Sequence, residues 1–215
     1  VKQRAAFDPA LKQYPHAYRA GQPTFDDPEL AARWRSTRRA AIDHLLRLIA
    51  ASDWAGRLVL RGSVTLREWF GEQAREPGDL DFVVQPAGIG FDSPEGLRLL
   101  DDVIAAVAAD PGPGLQSAKV ARDEIWTYER VPGRRLILPY EHHGLTGFVQ
   151  LDFVYNEELP MEPERLPIGD ASPLTAGPEL SLAWQLLWLQ SDTFPRARTC
   201  MTRCCWPSRP TSPPR

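Results

Sequence analysis

The sequence predicts a mixed α/β or α+β domain, and three observations carry that reading. Amphipathic stretches with helical spacing alternate with short apolar runs of strand length. An apolar fraction of 43% can bury a real core, and 215 residues suit one ordinary domain, or slightly more. No segment repeats within the chain, which sets aside solenoid and array architectures.

The elements follow in order. Residues 1–27 are rich in Pro and Asp and read as a loosely structured arm. From Pro28 to about Ala51, Leu30, Trp34, Ala41, Leu45, Leu46 and Ile49 fall on roughly one face, which predicts a long amphipathic helix. Arg57–Arg61 reads as a short strand and Val64–Gln73 as a helix. Pro77-Gly78 then turns the chain into a strand at Leu80–Val84. Ser93 is a good N-cap with Pro94 in the first helical position, and the helix that follows places Leu97, Leu100, Val103, Ile104 and Val107 inward. Asp110–Gly114 breaks it. Three strand-like runs come next, Ala118–Tyr128, Arg134–Tyr140 and Gly147–Tyr155, with Pro132-Gly133 as the hairpin turn between the first two. A Pro-rich connector, Pro160–Pro178, leads to a helix from Glu179 to about Gln190.

Charge and composition narrow the function classes. The formal net charge is −3, yet residues 196–215 hold five arginines and no acid, so residues 1–195 carry −8. A body this acidic does not bind nucleic acid by bulk charge, and any such contact needs a local basic patch. No apolar run approaches eighteen residues, so no membrane span is expected. Val1-Lys2-Gln3-Arg4 has no apolar segment behind its charges, so no secretory signal is expected and the chain is placed in the cytoplasm.

Three places concentrate the chemistry. Asp79-Leu80-Asp81 opens a strand, where positions i and i+2 point to one side and set two carboxylates a few ångströms apart. Such a pair is costly without a cation between its members, and hard ions such as Mg²⁺ are bound by one or two carboxylates plus substrate phosphates. Upstream, Gly62-Ser63 joins a strand to a helix, where glycine allows close backbone approach and exposed N–H groups bind phosphate oxygens. Downstream, Asp152 lies within the apolar strand Gln150–Val154, and an unpaired buried carboxylate there is expensive. Taken singly, a D-x-D beside a turn is usually solvated surface, and Gly62-Ser63 is usually a plain turn with an N-cap serine. Together and in this order they form a two-metal nucleotidyl-transfer layout.

These segments carry a resemblance. Leu58-Val59-Leu60-Arg61-Gly62-Ser63-Val64-Thr65-Leu66-Arg67, followed by Pro77-Gly78-Asp79-Leu80-Asp81-Phe82, resembles the nucleotidyltransferase toxins of the AbiEii/AbiGii family, within the polymerase-beta-like nucleotidyltransferase superfamily. Leu180-Ser181-Leu182-Ala183-Trp184 is similar to the helix after the family's third carboxylate, and the likeness extends over about residues 28–195. It implies a mixed sheet flanked by helices, with residues 28–159 as the nucleotidyltransferase core. Residues 160–195 would be the connector and the start of a C-terminal helical domain, whose remainder would be truncated.

The resemblance also implies transfer of a nucleotide from a nucleoside triphosphate with Mg²⁺. Some members modify the acceptor end of tRNA, act in toxin–antitoxin or phage-defence systems, and are neutralised by a partner antitoxin. Gly62 and Ser63 would hold the triphosphate, with Arg67 a weaker candidate. Asp79 and Asp81 would bind the metals, and Asp152 would join them and help to activate the attacking hydroxyl. Two other readings keep the same core: a small-molecule (antibiotic-type) nucleotidyltransferase, and a non-catalytic remnant that binds a partner.

Two departures from the family pattern stand out. Gln185 occupies the place of a lysine in a Leu-Ala-x-Lys context and supplies no positive charge to a phosphate. After Pro195 the family runs on into Lys-Asp-Leu-Tyr-Asp and further helices, whereas this chain gives an Arg-, Cys- and Pro-rich tail. Back-translating Arg196–Pro207 with suitable codons and reading from the third base gives Gly-Lys-Asp-Leu-Tyr-Asp-Ala-Val-Leu-Leu-Ala. The tail, 196–215, therefore reads as a frameshift product, and low activity is expected of the chain as it stands. Cys200, Cys204 and Cys205 lack zinc-finger spacing and a nearby histidine. His142-His143 would point to opposite faces of a strand, which favours a turn or solvent role over a shared metal. Trp184 and Trp188 read as helix packing.

Overall fold

The computed structural model describes residues 5–7, 18–21, 23–127 and 131–191. The tail, its three cysteines and most of the N-terminal arm lie outside the described residues, as does the side chain of Trp188.

The long N-terminal helix is present as α1 (Pro28–Ala50), capped by the Asp27 side chain accepting from the Glu29 N–H at 2.8 Å. Strand β3 (Leu58–Arg61) follows, then α2 (Ser63–Phe70) with a single 3₁₀ turn over Gly71–Gln73, then β4 (Asp79–Val84). Helix α3 (Pro94–Ala109) starts as expected, with the Ser93 hydroxyl accepting from the Gly96 N–H at 3.0 Å. Strands β5 (Ala121–Thr127), β6 (Val131–His142) and β7 (Leu145–Val154) form a meander, and α4 (Pro178–Ser191) closes the described chain. Four short strands complete the set: β1 (Ala5–Phe7), β2 (Tyr18–Ala20), β8 (Glu164–Arg165) and β9 (Leu174–Thr175).

Seven strands build one mixed sheet in the order β5-β6-β7-β4-β3-β9-β8, and β1 pairs antiparallel with β2 in a separate two-stranded sheet. The pairs β4–β7 and β3–β9 are parallel, and the other pairs of the sheet are antiparallel. Alternation splits each central strand between two faces. Leu58, Leu60, Leu80, Phe82, Leu136, Leu138, Val149 and Leu151 pack with α1 and α3 in the larger core. Val59 and Val83 face the other way, onto Leu180 and Trp184 of α4. Phe82 stacks on Phe153 across β4 and β7, with centroids 5.6 Å apart. A slip of one residue would turn this pair out of the core, so the pair fixes the register of the two strands.

Two expectations are corrected. Pro132 and Gly133 lie inside β6, paired with Trp126 and Ile125, so they are not the turn. Proline donates no ladder hydrogen bond, but its carbonyl still serves, accepting from the Tyr155 N–H at 3.0 Å. On α3, Leu99 is fully buried and Leu97 is 39% exposed, so the inward stripe runs Leu99, Leu100, Val103, Val107. Within the Pro-rich connector, β9 pairs in parallel with β3 and extends the sheet beyond it. His142 and His143 do sit at a turn, with His143 at φ 49°.

Candidate active site

The sheet register assembles the site. Arg61 on β3 stands opposite Asp81 on β4, Asp81 opposite Asp152 on β7, and Asp152 opposite Arg135 on β6. Directly paired residues share a face, so four charges lie side by side across four strands in the order plus, minus, minus, plus. Neighbouring strands are about 4.8 Å apart, which brings the two central carboxylates close. Two residues back along β4, Asp79 lies on the same face beside Gln150. This is also the face against which α4 packs. The three carboxylates expected from the sequence are therefore neighbours.

Each has its own partners. Asp79 accepts from the Ser63 hydroxyl at 3.1 Å and pairs with Arg75 at 3.4 Å. Asp152 accepts from Arg135 Nε and Nη2, both at 2.6 Å, with Arg135 only 2% and Asp152 8% exposed. Arg61 forms two bonds of 2.9 Å to the Glu157 carboxylate, with its guanidinium 4.6 Å from the centre of the Trp184 ring. Arg61 is thus held by Glu157 rather than turned wholly to Asp81. Asp81 is left between Asp79 and Asp152. Burial first, and then those two charges, push its carboxyl well above the usual carboxylate range, with Arg61 and Arg75 only partly opposing.

Gly62 shows why the turn needs glycine. Its φ of 88° and ψ of −146° lie in a region essentially closed to other residues. A Cβ there would come within 2.6 Å of Asp81 Oδ2, so the carboxylate rests directly against the backbone of the turn. Gly62, not Ser63, is the N-cap of α2, and no side chain caps that end. Ser63 is the first helical residue, and its hydroxyl goes to Asp79. The first-turn N–H groups of α2 thus lack a side-chain cap, as an oxyanion site requires.

Not every expected residue joins this cluster. Arg67 Nη1 donates to the Ala74 carbonyl at 3.0 Å and Nη2 lies 3.9 Å from Glu76, so its guanidinium braces the loop before β4. Gln185 is buried on α4 and remains neutral. Arg135, Arg61, Glu157 and Arg75 were not anticipated. Arg135 and Arg61 enter through strand register, of which a single sequence carries no signal, whereas Arg75 stands only four positions before Asp79.

The donor chemistry fits a hard divalent cation at Asp79 and Asp81: oxygen ligands, with the Asp81 carboxyl driven toward its protonated form by burial and then by its two carboxylate neighbours. Asp152 differs, because Arg135 engages both of its oxygens. Among the described residues, no three His, Cys, Asp or Glu side chains are arranged to hold a metal.

The geometry can be set beside known proteins. The sequence pattern described as the nucleotidyl transferase AbiEii toxin of type IV toxin–antitoxin systems matches residues 7–181. No curated protein matches the chain. Two solved structures from Helicobacter pylori can be compared, of which the first is similar in fold. One is a crystal structure of a presumed nucleotidyltransferase, with a TM-score of 0.51 and 18% identity over 81% of this chain and 67% of that one. The other is JHP933, with a TM-score of 0.48 and 16% identity over 78% and 63%. Among the described residues, no helix is long and apolar enough to cross a membrane.

Proposed function

Because the chain belongs to the family of AbiEii nucleotidyl transferase toxins of type IV toxin–antitoxin systems, we propose that it transfers a nucleotide from a nucleoside triphosphate to an acceptor hydroxyl at the Asp79–Asp81–Asp152 cluster. The observation that carries this reading is the crowding of Asp81 by Asp79 and Asp152 directly against the Gly62 backbone. Carboxylates so placed are stable only when protonated or when a cation joins them.

Asp79 and Asp81 are the residues that would hold Mg²⁺, and the ion would neutralise charge building on the transferred phosphoryl group. The α2 N-terminus at Gly62 and Ser63 receives triphosphate oxygens through its backbone N–H groups. Ser63 holds Asp79 in position through its hydroxyl. Asp152, oriented by Arg135, takes the proton of the attacking hydroxyl through the lone pairs that its arginine leaves free. Asp79, Asp81 and Asp152 are the catalytic residues of this proposal, with the metal held by Asp79 and Asp81. Gly62 and Ser63 are its nucleotide-binding residues, and Arg67 acts only by bracing the loop.

The acceptor we propose is the end of a tRNA, with an antitoxin as protein partner, a role in phage defence and action in the cytoplasm. A second reading, nucleotide binding without transfer, draws support from Gln185 in the lysine's place and from Arg135's hold on Asp152. The test is to incubate the chain with Mg²⁺, each α-labelled nucleoside triphosphate, and either total tRNA or an aminoglycoside panel. Label in tRNA supports the proposal, and label in the small molecules alone moves the acceptor to that class. Triphosphate binding with no label in either overturns transfer in favour of the second reading.

A further inference from the structure

Arg38 is buried to 2% exposure on α1, yet among the described residues it makes no hydrogen bond or ion pair. Its one polar neighbour interaction is a stacking of its guanidinium on the Trp34 ring, 4.6 Å from the centroid. It lies against the bend that leads into β4: a Cβ on Gly78 would sit 3.3 Å from Arg38 Nη1. A buried, unpaired cation is expensive, and cation–π contact at about 0.5–2 kcal/mol does not offset that cost. Burial pushes the Arg38 pKa down, while Tyr140, Asp79 and Glu76 push it up and Arg75 lowers it.

Two of those neighbours have the same unmet need. Arg75 Nη1 and Tyr140 Oη are buried and have no hydrogen-bond partner among the described residues. Arg75 also touches Asp79 through Nη2, at 3.4 Å, which ties this group to the carboxylate cluster. Two buried donors without acceptors, Arg75 Nη1 and Tyr140 Oη, thus neighbour the Arg38 guanidinium, and Arg38 and Arg75 flank the entry to the strand that carries Asp79 and Asp81. Buried polar groups in native proteins are almost always satisfied, so this set calls for an acceptor-rich ligand. A phosphate oxyanion offers several acceptor oxygens and suits guanidinium donors.

We propose that Arg38 and Arg75, with the Tyr140 hydroxyl, form a second phosphate-binding site at the Gly78–Asp79 bend, separate from the Gly62–Ser63 turn. The site rests on the nucleotidyl-transfer reading only for the origin of the phosphate, which is either the triphosphate tail or the backbone of an RNA acceptor. An acceptor phosphate bound here would place its chain beside Asp79 despite the acidic bulk of the protein.

The wild-type chain and the variants Arg38→Met and Arg38→Lys are titrated calorimetrically with tripolyphosphate and, separately, with a short single-stranded RNA bearing a 5′-hydroxyl. Thermal unfolding is followed without ligand. Arg38→Met should weaken binding of one probe at least tenfold, with Arg38→Lys intermediate, and the affected probe identifies the source. Arg38→Met should also unfold no earlier than wild type, because it removes an unpaired buried charge. Affinities for both probes within twofold of wild type, or no binding of either by wild type, would overturn the proposal. So would early unfolding of Arg38→Met with binding intact in the folded fraction, which would mark a purely structural arginine. Arg38-dependent binding in a wild type that transfers no label would instead count against the nucleotidyl-transfer reading alone.

Discussion

Replacing Arg135 by Met would leave Asp152 as an uncompensated carboxylate on the same face as Asp81. The pair is buried on both sides and joined by two bonds of 2.6 Å. Removing one partner of such a pair costs about 3–5 kcal/mol. The adjacent Asp81 adds repulsion that Arg135 now offsets, so the upper part of that range is expected. For a domain of this size about 1 kcal/mol shifts Tm by roughly 2–4 °C, so Arg135→Met should melt roughly 6–20 °C below wild type. Urea unfolding at pH 7 measures the free energy, and the double variant Arg135→Met/Asp152→Leu completes the test. Apolar replacement of both partners is often neutral, so the double variant should recover to within about 1 kcal/mol of wild type. A single variant within about 1 kcal/mol of wild type, or a double variant no better than the single, would refute the view that Arg135 chiefly neutralises Asp152.

Other outcomes follow from the same geometry. Gly62→Ala forces a side chain into a glycine-only conformation and onto the Asp81 carboxylate, so a loss of about 1–3 kcal/mol or more is expected in urea unfolding. Asp81 has its carboxyl raised in the folded state, so from pH 3.8 upward the native protein holds more protons than the unfolded chain. Stability of the metal-free protein should therefore fall as pH rises through that window, and Asp81→Asn should flatten the profile and be the more stable of the two at neutral pH. A wild-type profile that is flat, or that rises, would contradict this. The reading of residues 196–215 is checked at the gene: an open frame encoding Lys-Asp-Leu-Tyr-Asp should run past codon 215, and a chain restored to it should be more soluble and more active. A stop codon in that frame just after Pro207 would weigh against it.

Local chemistry was legible in the sequence, and cross-strand chemistry was not. Ser93 and Pro94 mark a helix start because capping acts within a few residues, and α3 starts where that motif places it. Asp79 and Asp81 share a face because strand alternation is local as well. Arg135 was invisible as Asp152's partner because it depends on how β6 pairs with β7 across a turn, and 17 positions separate the two residues. Pro132-Gly133 misled for a related reason: the dipeptide favours turns, but the length and pairing of β6 override that preference. Leu97 and Leu99 show the limit of periodicity, since a shift of two positions still leaves an apolar stripe on α3. The short strand β9 carries no pattern of its own and exists through its pairing with β3.

The central claim, that Asp79 and Asp81 carry metal-dependent nucleotide transfer, is tested most directly by incorporation of label from α-labelled triphosphates. The assay compares wild type, Asp79→Asn and Asp81→Asn, with and without Mg²⁺, in both the chain as it stands and the frame-restored chain. Transfer should require Mg²⁺ and fall by about a hundredfold or more in either variant, since charge neutralisation on the phosphoryl group is the main catalytic term. Transfer that persists in Asp81→Asn, or no transfer by either wild-type chain with any triphosphate, would contradict it.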